Sequence, residues 1–316
     1  MRLDNNNPDC AIVTLFTHNV CNYNCSYCSD YHRDGSYRWS DNWTPWINFI
    51  KEVEKRNKYV YVEILGGEPT LQPKFSDFID TISDDNTFIE FSTNASRTIR
   101  YWENFHTKKN CFIFLSWHSE EADDDHFYRV AEVLHERTTI NVPLMVTPEN
   151  FERAKKLHNR LKQLKVSVIP RLTRQNIDKP GLMNFNQEQK DWAINARHIG
   201  QKPFDIEWDI PRKIFVDGYK KHWAEIQAND QHKFSGWKCM AGLKRLFVDK
   251  TGDIYRCTQT VGGKIGNIFG EYEMPEKEII CNVTYCPCKL DAIIEKWKEP
   301  ISCLLYTSDA ADEEDS

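Results

Sequence analysis

The chain has 316 residues, enough to bury one large core and to carry a smaller appended domain. Hydrophobic residues make up 40% of it and charged residues 28%, and no apolar run is long enough to span a bilayer. The first seven residues lack the apolar core of a secretory signal, so we expect a cytoplasmic protein without a membrane partner.

The acidity of the chain is concentrated near its end. The formal net charge is −6, from 41 basic and 47 acidic residues. Residues 303–316 resemble the in-frame translation of a sequencing adaptor and hold five acids and no base, so we expect this tail to be foreign and the native C-terminus to be missing. Without the tail, 41 basic residues face 42 acidic ones, a balance of −1 that points to no nucleic-acid partner.

Short apolar runs alternate with longer amphipathic ones from residue 11 to residue 172. The apolar runs lack a strict two-residue alternation, as expected for strands covered on both faces. The predicted strands cover residues 11–16, 59–65, 87–92, 111–117, 139–146 and 166–170, and the predicted helices cover 43–56, 74–83, 99–108, 124–136 and 150–163. Six strand–helix units in a row predict an α/β fold with a parallel sheet and right-handed crossovers. Functional groups are then expected at the C-terminal ends of the strands.

The later part of the chain follows a different pattern. Residues 175–236 are polar with scattered aromatic residues, and we interpret them as a bridging segment with helices over 187–198 and 217–228. From residue 237 the chain is rich in cysteine, with a predicted hairpin over 247–257 that turns at Lys250-Thr251-Gly252.

The cysteines are unevenly distributed. Three of the eleven fall at Cys21, Cys25 and Cys28, and five more lie between residues 239 and 288. In a chain without an export signal, this usage favours metal or redox chemistry over a disulfide framework.

The first cysteine group has the spacing C-x₃-C-x₂-C on the loop after the first predicted strand. Three thiolates leave one iron of a cubane cluster without a protein ligand, and such an open site can do chemistry. With Tyr27 just before the third cysteine, the motif resembles that of the radical S-adenosylmethionine (SAM) superfamily. A Cys₃His zinc site completed by His18 or His32 is the alternative.

The resemblance implies a fold, cofactors and further site residues. The implied fold is a partial (β/α)₆ TIM-like barrel, in which a [4Fe–4S] cluster held by Cys21, Cys25 and Cys28 binds SAM. Residues 65–70 read Leu-Gly-Gly-Glu-Pro-Thr and match the family's GGE motif, and small polar residues end the next strands. The SAM contacts implied by these positions are Tyr27, Gly66, Gly67, Glu68, Ser92, Asn94, Ser116, His118 and Arg171.

The second cysteine group resembles the SPASM or twitch extensions of radical SAM enzymes. The resemblance implies one auxiliary [4Fe–4S] cluster with Cys239 and Cys257 as ligands, and two more from Cys281, Cys286 and Cys288. Structural zinc is the alternative here as well. The expected organisation is a core domain over 1–174, a bridge over 175–236, a cluster domain over 237–302 and the tail.

The function implied by the resemblance is reductive cleavage of SAM to a 5′-deoxyadenosyl radical that abstracts a hydrogen atom from a substrate. A peptide or protein substrate is the first interpretation, and a small molecule or nucleotide precursor is the second. An electron donor such as flavodoxin or ferredoxin is an expected partner. A non-enzymatic protein with zinc or iron–sulfur centres in both cysteine groups is the alternative from another class.

Overall fold

The computed structural model describes residues 2–39, 41–108, 110–176, 181–200, 214–221, 225–226 and 229–298. The strands, in chain order, are β1 (Arg2–Asn5), β2 (Cys10–Phe16), β3 (Tyr59–Leu65), β4 (Thr87–Thr93), β5 (Cys111–Leu115), β6 (Trp117–His118), β7 (Thr139–Val146), β8 (Ser167–Leu172), β9 (Ile214–Val216), β10 (Tyr219–Lys221), β11 (Lys238–Cys239), β12 (Arg245–Val248), β13 (Asp253–Tyr255), β14 (Lys264–Asn267), β15 (Ile279–Ile280) and β16 (Lys296–Trp297).

The helices follow the same order. They are α1 (Asp30–Arg33), α2 (Thr44–Glu54), α3 (Phe75–Ile82), α4 (Ile99–Glu103), α5 (Asp124–Leu134), α6 (Phe151–Gln163), α7 (Gln187–Asn195) and α8 (Lys289–Ala292), with a 3₁₀ turn at Pro69–Leu71. None of those in the described residues has the length and apolarity that a bilayer span requires.

The larger sheet confirms the α/β class and the six predicted parallel strands. β2, β3, β4, β5, β7 and β8 lie side by side in chain order, all parallel, and the short β6 pairs with β7. The sheet stays open, because β8 and β14 lie towards opposite edges and the described residues contain no pairing between them. The carboxyl ends of the six strands therefore meet at one edge, where a ligand is expected.

The two faces of this sheet bury different partners. One face packs against the helices, as in α6, which buries Phe151, Ala154, Leu157 and Leu161 at helical spacing. The other face carries residues such as Tyr61, which belong to a second core together with the C-terminal cysteines. Because both faces of the sheet are covered, the sequences of its strands are continuous apolar runs.

The C-terminal cysteine-rich segment contributes strands to both sheets of the structure. The predicted hairpin over 247–257 is confirmed as β12 and β13, and β12 pairs in parallel with β2, so it widens the larger sheet. The second sheet has the order β10-β9-β1-β16-β11-β15 and includes the N-terminal strand β1. The domain boundaries drawn from the sequence remain a prediction.

The predicted helix over 217–228 is wrong in its first part. β9 and β10 form a hairpin there, and its two loop residues, Asp217 and Gly218, have φ angles of 49° and 84°. An Asp-Gly pair supplies the two positive φ angles of a tight hairpin turn, and this local preference overrides the helical pattern. The predicted tail over 303–316 lies outside the described residues.

Two further predicted helices end early. α4 stops at Glu103 rather than near residue 108, because the amide Nδ2 of Asn104 donates to the carbonyl oxygen of Arg100 at 2.7 Å and Phe105 turns into the core. α7 ends at Asn195, and His198 then pairs with Val168 at the outer edge of β8.

Candidate functional site

The three cysteines of the first group lie on the loop that connects β2 to α1. The backbone N–H of Cys28 donates to the carbonyl oxygen of Cys25 at 3.1 Å, which folds the loop into a tight turn. Cys21, Cys25 and Cys28 all line one cavity of about 260 Å³ at the carboxyl edge of the parallel strands. Of the described residues that line this cavity, none is a fourth cysteine.

The glycines after β3 hold this loop in place by close backbone contact. The N–H of Gly67 donates to the carbonyl oxygen of His18 at 2.8 Å, and the N–H of Glu68 donates to that of Val20 at 2.9 Å. A Cβ atom on Gly67 would lie 2.1 Å from the carbonyl oxygen of Val20, so no larger residue fits. The glycine pair therefore positions the cysteine loop.

Glu68 ties the ends of β3 and β4 together. Its Oε1 accepts from the hydroxyls of Thr70 at 2.6 Å and Thr93 at 2.7 Å, and its Oε2 accepts from the N–H of Asn94 at 2.6 Å. The side chain is buried, and burial raises the pKa of its carboxyl group while these hydrogen bonds act to lower it. A carboxylate so held stays fixed at the wall of the cavity.

Most of the predicted SAM contacts meet at this cavity. Those that line it are Gly66, Gly67, Glu68, Ser92, Asn94, Ser116 and His118. They come from the ends of β3, β4, β5 and β6, as the rule for parallel strands requires. The structure thus brings the cysteine motif, the GGE motif and the polar strand ends to one cavity. These motifs extend from Cys21 to His118, over about a hundred residues of sequence.

Tyr27 and Arg171 are the predicted contacts that lie outside this lining. The Tyr27 ring stacks on His118 with centroids 6.0 Å apart, and its hydroxyl lies 3.0 Å from the Nδ1 of that histidine. The hydroxyl also forms a hydrogen bond with the Cys25 thiol. Arg171 lies on β8 in a separate groove. The roles of both residues in SAM binding remain predictions.

Thr93, which lies between the predicted contacts Ser92 and Asn94, and His32, the alternative zinc ligand, line the cavity as well. Tyr23, Arg33 and Met145, which were not selected from the sequence, also line it. The Nε of Arg33 is buried and has no hydrogen-bond partner in the described part of the chain. Two acids brace the cysteine loop from outside: Glu120 accepts from the N–H and hydroxyl of Ser26, and Glu121 accepts from the N–H of Asn24 at 3.3 Å. No motif in the sequence marks these residues.

Burial controls the protonation of the groups around the cavity. It raises the pKa of Cys21 to about 11 and that of Cys25 to about 12, so both thiols are protonated at neutral pH when no metal is bound. It lowers the pKa of His118 to about 4, so that imidazole is neutral. A metal centre bound here would have to displace protons from the thiols.

The second cysteine group surrounds a small cavity in the second core. Cys239, Cys257, Cys281 and Cys286 line it and are all buried. Cys288, at the start of α8, is outside the lining. Burial raises the pKa of the Cys257 thiol to about 11 and also raises that of Cys286. Four thiols from β11 and three loops thus line the same cavity.

The spacing of these side chains bears on the zinc alternative. A zinc ion draws four ligands to about 2.0–2.3 Å from one centre. In the residues that the structure describes, no three His, Cys, Asp or Glu side chains are grouped so as to hold one metal ion. The His18 Nδ1 accepts from the N–H of Val20 at 3.1 Å, and the His32 Nδ1 lies 2.8 Å from the Ser29 hydroxyl. Both contacts use Nδ1, and the Nε2 of His18 is buried with no hydrogen-bond partner in the described residues.

Comparison with known proteins agrees with this geometry. The family model described as the Radical SAM superfamily matches residues 15–173, half of the chain. A search of curated protein sequences gave no significant match.

Solved structures with the same fold include radical SAM enzymes in complex with ligands. The structure of native anSMEcpe with bound AdoMet and Kp18Cys peptide has a TM-score of 0.51 and 16% identity, and the match covers 83% of this chain and 78% of that one. Streptococcus suis SuiB bound to S-adenosylmethionine has a TM-score of 0.53 and 15% identity, with 82% and 63% covered. SuiB bound to the precursor peptide SuiA has a TM-score of 0.55 and 14% identity, with 84% and 63% covered. This chain therefore spans less than two thirds of SuiB.

Proposed function

This chain belongs to the radical SAM superfamily of enzymes, and from that premise we propose that it cleaves SAM reductively and directs the resulting radical at a peptide. The superfamily implies SAM and a [4Fe–4S] cluster as cofactors. The observation that carries the proposal is the set of three thiols at one cavity, surrounded by polar groups from successive strand ends.

The chemistry of the donor set fits a cluster with one open iron. Cys21, Cys25 and Cys28 would hold three of its irons, and the other acid at the cavity, Glu68, already accepts hydrogen bonds at both carboxylate oxygens. When bound, the cluster would supply the electron that breaks a carbon–sulfur bond of SAM. The fourth iron would then be open to the amino and carboxylate groups of SAM.

The remaining residues of the cavity would bind and orient SAM. The backbone of Gly66 and Gly67 and the carboxylate of Glu68 would receive the methionyl ammonium group, and Ser92, Asn94 and Ser116 would offer hydrogen bonds to the ribose and carboxylate of SAM. Because Glu68 is fixed by Thr70 and Thr93, the ammonium site needs little reorganisation on binding.

The second cysteine group would hold an auxiliary [4Fe–4S] cluster of the SPASM or twitch type. Its ligands would be Cys239, Cys257, Cys281 and Cys286, the four that line one buried cavity. Four thiolates complete the coordination of a cubane, so this cluster would transfer electrons or stabilise the fold rather than bind substrate. Cys288 is not required in this assignment.

A peptide is the proposed substrate because structures of the same fold contain bound peptides. The proposed electron donor is a flavodoxin or ferredoxin, and the proposed location is the cytoplasm. The peptide would have to reach the cavity of about 260 Å³ beside the cysteines, at the carboxyl ends of the parallel strands.

Anaerobic purification and reconstitution test the proposal. We expect a brown protein with about eight irons and eight sulfides per chain, the content of two cubanes. With dithionite and SAM it should release 5′-deoxyadenosine and methionine. A colourless protein that contains zinc and no acid-labile sulfide would contradict the assignment.

A further inference from the structure

A second large concavity lies at the edge of the parallel sheet, between β8 and α7. Its volume is about 560 Å³, and we call it the β8–α7 groove. Leu182 and Ile194 line it and are 45% and 69% exposed, which is unusual for large apolar side chains that lie together. Contiguous exposed apolar surface rimmed by polar groups is typical of an interaction site.

The charged residues of the groove all have one sign. Arg171, Lys190 and Arg197 line it, and among the described residues that line it there is no aspartate or glutamate. Arg197 is close enough to Arg171 to lower the pKa of that guanidinium group, beyond the effect of burial. Two like charges held near each other disfavour the free state, and an anionic ligand between them would relieve the repulsion.

One residue of the groove, Arg171, lies on the same face of the sheet as the cysteine cavity. Arg171 is paired with Met145 of β7, and register partners in a parallel pair project to the same side. Met145 lines the cysteine cavity. Since neighbouring strands lie about 4.8 Å apart, the Arg171 end of the groove is one strand away from the lining of the cysteine cavity.

The chemistry of the edge strand limits how a ligand can bind. The N–H and carbonyl of Val168 are already paired with His198, and Pro170 has no N–H to offer. A peptide therefore cannot add to β8 as a further strand over this stretch. Recognition must come from side chains, which here are apolar or cationic.

We propose that the β8–α7 groove binds an acidic and apolar segment of the peptide substrate, with its carboxylates on Arg171, Lys190 and Arg197 and its apolar side chains on Leu182 and Ile194. The inference rests on the proposed function, because only that function makes the bound peptide a substrate. Binding of a peptide to the groove can be measured without SAM cleavage. The match between unbalanced positive charge and an acidic segment identifies the occupant.

A rival occupant is present in the chain itself. Residues 204–210 read Phe-Asp-Ile-Glu-Trp-Asp-Ile and alternate apolar residues with Asp205, Glu207 and Asp209. This sequence has the chemistry that the groove would select, so the experiment has to separate it from an added peptide.

Fluorescence anisotropy on the full-length reconstituted enzyme provides the test. The probe is a short fluorescein-labelled peptide that alternates glutamate and leucine, and its counterpart carries lysine in place of glutamate. The variant Lys190→Glu/Arg197→Glu reverses two charges of the groove. Lys156→Glu on α6, an exposed lysine away from the groove, is the matched control.

We expect the wild-type enzyme to prefer the acidic peptide. The double variant should lose about tenfold or more in affinity for it, since two attractive charges become repulsive, and should gain affinity for the basic peptide. The preference should also weaken at high salt. Equal affinity of the double variant and the Lys156→Glu control for the acidic peptide would overturn the proposal.

A second variant, Asp205→Asn/Glu207→Gln/Asp209→Asn, addresses the rival. If the groove is available to substrate, these changes leave the affinity for the acidic peptide within about twofold. An increase of about tenfold would show that the chain's own acids occupy the groove and would overturn the proposal. Release of 5′-deoxyadenosine without peptide is measured in parallel, so failure of SAM cleavage is distinguished from failure of peptide binding.

Discussion

The two cysteine groups differ in number, access and surroundings. The first has three thiols on one loop, beside a cavity of about 260 Å³ that is lined by polar strand ends. The second has four thiols from separate segments, enclosed by the second core. A site with a missing ligand and an adjoining cavity can bind and activate a cosubstrate, whereas a filled and buried site can only store or pass electrons or hold the fold together.

The electrostatic surroundings differ in the same sense. Near the first group, His118 is neutral because burial lowers its pKa to about 4, and Glu68 is fully hydrogen-bonded. Near the second, the buried Lys296 lines the cavity, and the Arg245 guanidinium pairs with Asp291 at 2.7 Å. The second site thus carries buried charges of both signs, whereas the buried acid of the first, Glu68, is held by neutral hydrogen-bond donors.

The largest expected effect tests the difference in the number of thiols between the two cysteine groups. Cys25→Ala should abolish 5′-deoxyadenosine release, because a cluster with two thiolates is not retained in a site open to solvent and ligand. Cys286→Ala should remove irons from the second site and leave basal SAM cleavage measurable. Iron counts and product release on both variants are the measurement, and persistence of SAM cleavage in Cys25→Ala would refute the site assignment.

The next effect tests how much the buried ion pair beside the second cysteine group contributes to stability. Arg245→Met leaves the carboxylate of Asp291 in the core without its ion partner, which should cost about 3–5 kcal/mol of unfolding free energy. Arg160→Met is the matched control, because Arg160 pairs with Asp125 at the same 2.7 Å but with side chains 41% and 82% exposed. That pair should be worth less than about 1 kcal/mol.

Denaturant unfolding of both variants, with iron retention followed in parallel, measures the difference. Arg245→Met should lose the second set of irons at lower denaturant than the first. Equal costs for the buried and the exposed pair would mean that the second site has no special electrostatic framework.

The core of the fold was predictable because its elements are set by local pattern. The predicted strands over 59–65 and 139–146 match β3 and β7 to the residue, since buried parallel strands are continuous apolar runs. Motif spacing also led to the residues that line the first cavity, because strand ends in a parallel sheet meet at one edge.

Other features depend on contacts that no local pattern carries. The helix predicted over 217–228 failed because Asp217 and Gly218 form a hairpin turn whose strand β9 pairs with β1, more than two hundred residues earlier. Choosing among Cys281, Cys286 and Cys288 required the packing of the second core. The bracing of the cysteine loop by Glu120 likewise arises only when β6 is placed beside it.

A smaller effect sharpens the comparison at the first site. Gly67→Ala places a methyl group 2.1 Å from the carbonyl oxygen of Val20, which has to move with the cysteine loop. We expect a loss of about 1–3 kcal/mol of stability, typical of overpacking, and weaker iron retention at the first site only.

Gly270→Ala is the control for this change, because its Cβ would meet nothing within 4 Å. Thermal unfolding and iron analysis compare the two variants. If Gly67→Ala retains both sets of irons and the stability of Gly270→Ala, the glycine pair does not position the cysteine loop.

The smallest effect concerns the tuning of the first site. The neutral His118 can donate from Nδ1 to the Tyr27 oxygen, and the Tyr27 hydroxyl can then donate to the Cys25 sulfur. Hydrogen bonds to cluster sulfurs favour the reduced state, so Tyr27→Phe should lower the reduction potential of the first cluster. One hydrogen bond of about 1 kcal/mol corresponds to about 40 mV for a one-electron couple.

A redox titration followed by electron paramagnetic resonance measures this shift for each cluster separately. Tyr23→Phe is the matched control, since Tyr23 lines the same cavity but its hydroxyl has no hydrogen bond to a thiol in the described residues. Only Tyr27→Phe should shift the first potential, and neither variant should shift the second, because the two cysteine groups lie in separate cavities. Equal shifts in the two variants would mean that the potential follows the polarity of the hydroxyls near the cavity rather than the hydrogen bond to Cys25, and would refute tuning by that hydrogen bond.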